Sequence, residues 1–242
     1  MTSMSRDDGA TRLLDLPDAG RRFTAKRRVR LSDTTTGGEL RFDALARYVQ
    51  DVASDDARET MTASYLAWVV RRAVFEVHRS PVSEELCTLT TWCAGYGPRW
   101  AERRTRVVGD QGGRCESVVL WVAIDVETGA PARLPETFHA AYDEAAAGRK
   151  VTARLQHDEP PEGDAGRPWW FRVADLDRLG HVNNAAYPVV IEELTAGDVR
   201  PNRIEVEYRN PIQPGEEVAL VGGGSSWWLV GDDGVRASLR AS

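Results

Sequence analysis

The stretch DLDRLGHVNN, residues 175–184, brings together the side chains that acid–base chemistry needs. Asp177 lies four residues before His181, and Gly180 stands between them. A carboxylate can attack a carbonyl or act as the base that activates water, and an imidazole can hydrogen-bond a carbonyl, a carboxylate or a water. We therefore identify Asp177 and His181 as candidate catalytic residues.

The backbone of the same stretch could bind an oxyanion. A turn that enters a helix leaves N–H groups without intrahelical partners, and such donors stabilise a developing negative charge. Gly180, Val182 and Asn183 are the candidates for oxyanion and turn support. The alternative is architectural: Asp175 or Asp177 forms an Asx turn, and the histidine is partly buried with its hydrogen bonds satisfied.

An internal repeat separates architecture from chemistry. VRLSDTTTGGELRFDALARYVQDV aligns with FRVADLDRLGHVNNAAYPVVIEEL, so that Asp33 matches Asp175 and Gly38 matches Gly180. Each pair follows a predicted strand and precedes a predicted helix. Similarity of this kind predicts two structurally equivalent units.

The two copies differ where the chemistry would be. Thr35 stands in the first copy where the second has Asp177, and Glu39 stands where the second has His181. Only the second copy keeps an acid and an imidazole together, so the second unit is predicted to carry the reactive groups.

The order of elements predicts an α+β fold. Each copy begins with a strand, continues into a helix and ends in β-branched and aromatic runs separated by turns. A curved antiparallel sheet that wraps a long helix would bury the helix's apolar stripe, and two such sheets could join edge to edge. The predicted division is a flexible tail (1–22), an N-terminal unit (23–126), a linker with a short helix (127–167) and a C-terminal unit with the candidate site (168–242).

Composition excludes several classes of protein. The chain has 242 residues and a net charge of −6, which disfavours a nucleic-acid-binding protein. It contains no apolar run long enough to span a membrane and no apolar signal segment, so we expect a folded protein of the cytoplasm. Cys87, Cys93 and Cys115 form no CxxC pair and are predicted to be buried thiols; we expect neither a metal nor a cofactor.

The motifs resemble those of a known family. DLDRLGHVNNAAY followed by IEVEYRNPIQPGEEV is similar to the C-terminal signature of the acyl-ACP thioesterases, and VRLSDTTTGGELRFDALARYVQDVA, TLTTWCAGYGPRWAERRTRV and VVLWVAIDVETGAPARLP are similar to that family's N-terminal half. The resemblance runs from about Phe23 to near the C-terminus. It implies a double hotdog fold and a hydrolase of lipid metabolism that acts in fatty acid biosynthesis.

The resemblance also implies roles for individual residues. Asp177 falls on the family's catalytic aspartate and His181 on its histidine. The plant-type motif has an asparagine where this chain has Leu179, and a glutamate where it has Asn210 and Pro211. The expected mechanism is therefore simpler, with Asp177 as base or nucleophile and His181 as a polar positioning group.

The implied substrate is a fatty acyl thioester, which is hydrolysed to the free acid and the carrier thiol. The expected partner is an acyl carrier protein with an acylated phosphopantetheine; acyl-CoA, or a non-catalytic acyl-binding protein with a degenerate site, are the alternatives. The tandem chain could be a monomer or a homodimer. Candidates to line the acyl tunnel are Trp68, Trp92, Trp100 and Trp121, and candidates to contact the acidic carrier are Arg71, Arg72, Arg99, Arg103 and Arg104.

A further acid could come from the first helix. Asp51 and Asp55 lie in its predicted span, and either could assist the chemistry from the opposite unit. The competing interpretation is that both belong to the solvated face of the helix.

Overall fold

The computed structural model describes residues 14–60, 66–196 and 199–242. Within these ranges, ten strands form one antiparallel sheet, and three α-helices pack on it. The strands are β1 (Phe23–Arg28), β2 (Leu66–Arg79), β3 (Leu86–Tyr96), β4 (Trp100–Gly109), β5 (Arg114–Asp125), β6 (Arg167–Trp169), β7 (Arg203–Tyr208), β8 (Val218–Gly223), β9 (Ser226–Gly231) and β10 (Gly234–Ala241). The helices are α1 (Phe42–Thr60), α2 (Glu136–Ala146) and α3 (Val189–Leu194).

The sheet consists of two five-stranded halves. Its strand order is β1-β3-β4-β5-β2-β7-β10-β9-β8-β6, so all strands of the first copy lie on one side and all strands of the second copy on the other. The halves meet where β2 pairs with β7, from Arg72 opposite Glu207 to Glu76 opposite Arg203. This pairing covers one edge strand of each half with the other.

Helix α1 lies against the sheet with the apolar face that its sequence predicts. Leu45, Tyr48, Val49 and Val52 recur at helical spacing, and all four are buried in the main core. The helix has 19 residues and carries charges along its outer face. In the part of the chain that the structure describes, no helix is long and apolar enough to cross a membrane.

The two helices of the repeat differ in length. The second copy has a 3₁₀ turn at Asn184–Ala186 and then the six-residue helix α3, whereas α1 is long. The short helix contacts α1 through Glu192, whose Oε1 accepts the N–H of Phe42 at 2.6 Å and an N–H of Arg200 at 2.9 Å. A carboxylate at this position satisfies an unpaired N–H at the start of α1 and complements its dipole.

The segment predicted as a linker is bound to the sheet in its later part. The side chain of Glu207 on β7 is fully buried, and its two oxygens accept the N–H groups of Gln156 at 2.6 Å and His157 at 3.1 Å. His157 is itself buried, and its Nδ1 lies 2.8 Å from the hydroxyl of Ser238 on β10. Residues 149–159 therefore form a strap that runs from β3 and β4 of the first half of the sheet to β7 and β10 of the second half. The unit boundaries at 126 and 168 stay predictions.

We expect Glu207→Ala to destabilise the protein by about 2–5 kcal/mol, because the substitution leaves two buried N–H groups without an acceptor and removes a buried charge from its partners. Urea unfolding followed by circular dichroism measures this change. The matched control is Glu159→Ala, since Glu159 is an exposed strap residue that pairs with Arg209; its change should stay within about 0.5 kcal/mol. Equal stability of the two variants would contradict the role of Glu207 as the anchor of the strap.

Candidate active site

Residues 175–184 fold into a tight turn. The N–H of Asp177 donates to the carbonyl of His181 at 2.9 Å, and the N–H of Gly180 donates back to the carbonyl of Asp177 at 3.0 Å. Gly180 has a φ of +83°, a conformation that strains any residue with a Cβ. The turn therefore places residues 177 and 181 side by side.

The first copy makes the same turn. The N–H of Thr35 donates to the carbonyl of Glu39 at 2.8 Å, and that of Gly38 donates to Thr35 at 2.9 Å, again with a glycine φ of +83°. Asp33 accepts the N–H of Arg30 at 3.1 Å, and Asp175 accepts the N–H of Arg172 at 2.8 Å. The matched aspartates and glycines thus build the same frame in both units.

The candidate acid and imidazole of the second copy face each other. The Oδ1 atom of Asp177 lies 3.6 Å from Nδ1 of His181, and both side chains are about a quarter exposed, at 21% and 28%. Oδ1 also accepts the N–H of Leu179 at 2.8 Å, so Asp177 does form an Asx turn. The Nδ1 atom of His181 is buried and has no hydrogen-bond partner among the described residues. The other carboxylate oxygen, Oδ2 of Asp177, is thus left for a ligand or water.

The backbone donors are distributed differently from the expectation. The N–H of Gly180 is used within the turn, that of Val182 donates to the carbonyl of Ile212 at 3.0 Å, and that of Asn183 donates to Asp175 at 2.9 Å. These three residues hold the turn in place. Among the described residues, the N–H groups of His181 and Asn184 have no acceptor, so the donors for an oxyanion at this turn would be these two.

Asn183 and Tyr208 fix the segment that follows. The Oδ1 atom of Asn183 accepts the N–H of Ala185 at 2.9 Å and caps the 3₁₀ turn, as its residue type favours. The hydroxyl of Tyr208 on β7 donates to the carbonyl of Asn184 at 2.8 Å. A strand of the second half thus holds the turn in position against α1.

A narrow cavity of about 20 Å³, which we call the neck, begins beside this turn. Asn184, Ala185 and Tyr208 of the second unit border it on one side. Residues of α1 and of the first sheet complete its wall: Ala46, Val49, Gln50, Val70, Ala73, Phe75, Val119 and Trp121. The neck therefore lies between the two units.

A larger cavity of about 90 Å³ lies next to the neck, and Trp121 borders both. Ala53, Ser54 and Ala57 form its wall on α1, and they share a face of the helix with Ala46. Small side chains along this face leave room between helix and sheet. From residue 46 to residue 57 the face is about 16 Å long. We call the neck and the larger cavity together the channel.

Aromatic and charged side chains form part of the wall of the larger cavity. Phe138 and Tyr142 of α2 border it together with Arg103. Arg103 pairs with the buried carboxylate of Asp56 at 2.5 Å, and the Tyr142 hydroxyl donates to the same carboxylate at 2.8 Å. Burial raises the pKa of Cys93, also in this wall, to about 11, so its thiol is neutral.

The tryptophan candidates divide between channel and core. Trp68 and Trp121 line the channel. Trp92 is buried but borders neither cavity, and Trp100 donates its indole N–H to the carbonyl of Val151 at 2.9 Å. Two of the four tryptophans therefore line the cavities, as the sequence analysis expected of all four.

The arginine candidates for carrier docking are mostly engaged within the protein. Arg71 donates to the carbonyl of Tyr208, Arg72 is buried, and Arg103 and Arg104 pair with Asp56 and Glu102. Arg99 is exposed. Most of these arginines therefore take part in contacts within the protein, which the sequence alone does not reveal.

The acids of α1 do not reach the site. Asp51 is exposed, and Asp55 pairs with Arg27 at 2.8 Å and with Arg58 at 2.7 Å. The expectation that either assists the chemistry is therefore wrong, because both lie on the outer face of the helix. Gln50, which the sequence analysis did not single out, borders the neck instead. The sequence signal that could have identified Gln50 is its helical spacing, which places it on the same face of α1 as Ala46 and Ala53.

Comparison with known proteins identifies the family. Residues 20–142 match the model of the acyl-ACP thioesterase N-terminal domain, and residues 159–228 match that of the acyl-ACP thioesterase C-terminal domain. An uncharacterised protein of Mycobacterium tuberculosis is 28% identical over 212 residues, which are 86% of this chain and 85% of that protein. The chloroplastic oleoyl-acyl carrier protein thioesterase of Coriandrum sativum is 25% identical over 235 residues, covering 84% of this chain and 62% of that protein.

Solved structures share the fold. The 12:0-ACP thioesterase of Umbellularia californica has a TM-score of 0.74 at 17% identity, with 91% of this chain and 96% of that chain covered. An acyl-ACP thioesterase of Bacteroides thetaiotaomicron has a TM-score of 0.75 at 16% identity, with the same coverage. The predicted fold class, a double hotdog, is confirmed.

Proposed function

The chain belongs to the acyl-ACP thioesterase family and is a thioester hydrolase, and from this premise we propose that its substrate is a fatty acyl thioester carried on acyl carrier protein. The products are the free fatty acid and the thiol of the phosphopantetheine arm. The observation that carries the proposal is that Asn184 and Ala185, which follow the Asp177–His181 turn, border an apolar cavity beside α1.

The channel suits the acyl part of such a substrate. Its walls are mainly aliphatic and aromatic, and Phe138, Tyr142 and Arg103 border the larger cavity. An acyl chain that fills it buries apolar surface, which stabilises the complex by about 25 cal/mol per Å². The thioester then lies at the open side of the neck, within the region of the turn.

We assign Asp177 the role of general base. Its Oδ1 atom is held by the N–H of Leu179, while Oδ2 has no hydrogen-bond partner among the described residues and can accept a proton from water. The water oxygen attacks the thioester carbon, and the carbonyl electrons move to the oxygen. When the carbon–sulfur bond breaks, the sulfur takes the proton from Asp177, which regenerates the carboxylate.

His181 is assigned to positioning. Its Nδ1 atom is buried, faces Asp177 at 3.6 Å and has no hydrogen-bond partner in the described part of the chain. The unpaired N–H groups of His181 and Asn184 are the backbone donors for the developing oxyanion.

Family membership and the carrier named for the coriander relative support acyl carrier protein over coenzyme A. The product of such a reaction is a fatty acid released from its biosynthetic carrier, so we propose that the protein acts in fatty acid biosynthesis; its location in the cytoplasm stays a prediction. Arg99 is the member of the original arginine set that is exposed and can contact an acidic partner.

Asp177→Asn should lower kcat for thioester hydrolysis by about 10²–10⁴-fold, because an amide cannot take the proton from water. The amide oxygen can still accept the N–H of Leu179, so the turn and the melting temperature should be retained. A spectrophotometric thiol-release assay and thermal unfolding measure the two quantities. A variant with the wild-type rate would remove Asp177 from the mechanism.

Ala53→Leu should shift chain-length preference, because a larger side chain on the channel face of α1 reduces the space for the acyl chain. We expect kcat/KM to fall about 10-fold or more for long acyl thioesters and to change little for short ones. The short substrates serve as the internal control for folding. A uniform change across all chain lengths would show that the acyl chain does not occupy this cavity.

Matched acyl groups on acyl carrier protein and on coenzyme A test the carrier. We expect a higher kcat/KM for the carrier-protein ester, because its protein surface adds contacts that the nucleotide lacks. Rates are compared at equal thioester concentration and two salt concentrations, since docking of an acidic protein is screened by salt. Equal or better turnover of the coenzyme A ester would refute the carrier assignment and leave the hydrolase assignment intact.

A further inference from the structure

Gln50 brings a polar side chain of the first unit to the wall of the neck, which residues of the second unit complete. It lies on α1, on the face that carries Ala46 and Ala53, and it borders the neck together with Asn184 and Ala185. Asn184 follows His181 by three residues. Gln50 therefore borders the cavity that the segment directly after the candidate acid and imidazole also borders.

This carboxamide has no protein partner. Gln50 is half-buried and makes no hydrogen bond to any residue that the structure describes. Its surroundings in the neck are mostly aliphatic and aromatic, and the hydroxyl of Tyr208 is already donated to the carbonyl of Asn184. A polar group that loses water without gaining a partner costs about 1–3 kcal/mol. An acyl chain in the neck would exclude water from it, so the substrate must supply the compensating atom.

The thioester oxygen is the atom that the substrate brings to this place. With the chain in the channel, the thioester lies between the neck and the turn, and its carbonyl oxygen is the acceptor nearest to the neck wall. The side chain of Leu179, which is 60% exposed, and that of Pro211 contain no polar atom. The second unit therefore supplies no side-chain donor at these two positions. A donor from α1 would fill that role.

We propose that Gln50 is a catalytic residue whose Nε2 donates a hydrogen bond to the thioester carbonyl oxygen. This inference rests on the proposed function. As water attacks the carbon and its proton passes to Asp177, the negative charge that develops on the oxygen strengthens the bond from Gln50. The bond weakens again when the carbonyl re-forms and the sulfur, which takes the proton from Asp177, leaves as the thiol. The reaction centre is thus shared between the two units.

Gln50→Leu tests the donor directly. Removal of one donor to an oxyanion lowers kcat by about 10²–10³-fold in a site of this kind, and we expect a loss of that order with KM changed much less. Leucine matches the apolar wall, so the melting temperature should be kept or raised. Asp51→Asn is the matched control, since Asp51 is the next residue on the exposed face of α1, and it should hydrolyse at the wild-type rate.

Gln50→Glu separates donation from mere packing. A protonated glutamic acid can donate to the oxyanion, whereas a carboxylate repels it. The ratio of variant to wild-type kcat should therefore fall as pH rises through the pKa of the new glutamate, which is about 4.3 in water and higher in an apolar neck. Dividing by the wild-type rate at each pH removes the titration of Asp177 from the comparison. A structural role would leave the ratio independent of pH.

The outcomes are distinct. A wild-type protein that turns over no acyl thioester overturns the proposed function itself. A wild-type protein that hydrolyses thioesters, together with Gln50→Leu at the wild-type kcat or Gln50→Glu with a pH-independent ratio, overturns the role of Gln50 alone. Should Gln50→Leu fail to fold, the pH dependence of Gln50→Glu decides, because its ratio to the wild-type kcat is followed across pH in one folded variant.

Discussion

The pairing of β2 with β7 is the constraint on which the arrangement of the molecule depends. These strands are the inner edges of two five-stranded sheets, and their antiparallel ladder makes one continuous sheet of ten strands. The register sets α1 of the first unit against the 3₁₀ turn of the second. Glu192 reinforces this placement by accepting the N–H of Phe42 at the start of α1. The neck exists because the two units are held in this relation.

The two copies of the unit contain the same turn, but the turn has a different role in each copy. Both turns share the aspartate that accepts a backbone N–H and the glycine at φ +83°. In the first copy Asp33 is tied down further by the hydroxyl of Tyr48 at 2.5 Å, so this turn serves packing. In the second copy Asp177 lies between the frame residues, and His181 directly follows Gly180. Asn184 and Ala185, which follow the second turn, border the neck, whereas no residue of the first turn does.

The remaining charged groups stabilise the architecture around the channel. In the first unit, Asp56 forms ion pairs with Arg21 and Arg103 and accepts a hydrogen bond from Tyr142. In the second unit, Glu207 accepts backbone N–H groups of the strap. Buried charges of this kind are tolerated because each carboxylate has several donors. They also fix the shape of the cavity walls, since a paired side chain cannot easily move into the open space. The channel is therefore bounded by groups whose positions are determined elsewhere.

The sequence by itself determined the strands, the apolar face of α1, the repeat and the Asp177–His181 turn, because these depend on periodicity and turn chemistry over short distances. It could not say which arginines remain exposed, which tryptophans line the channel or which backbone N–H groups stay unpaired. It also drew attention to Asp51 and Asp55 because carboxylates are reactive, although both lie on the outer face of α1. Only the tertiary structure placed Gln50 at the neck, because Gln50 and Asn184, more than 120 residues apart in sequence, come together only when the two units pack across a shared sheet.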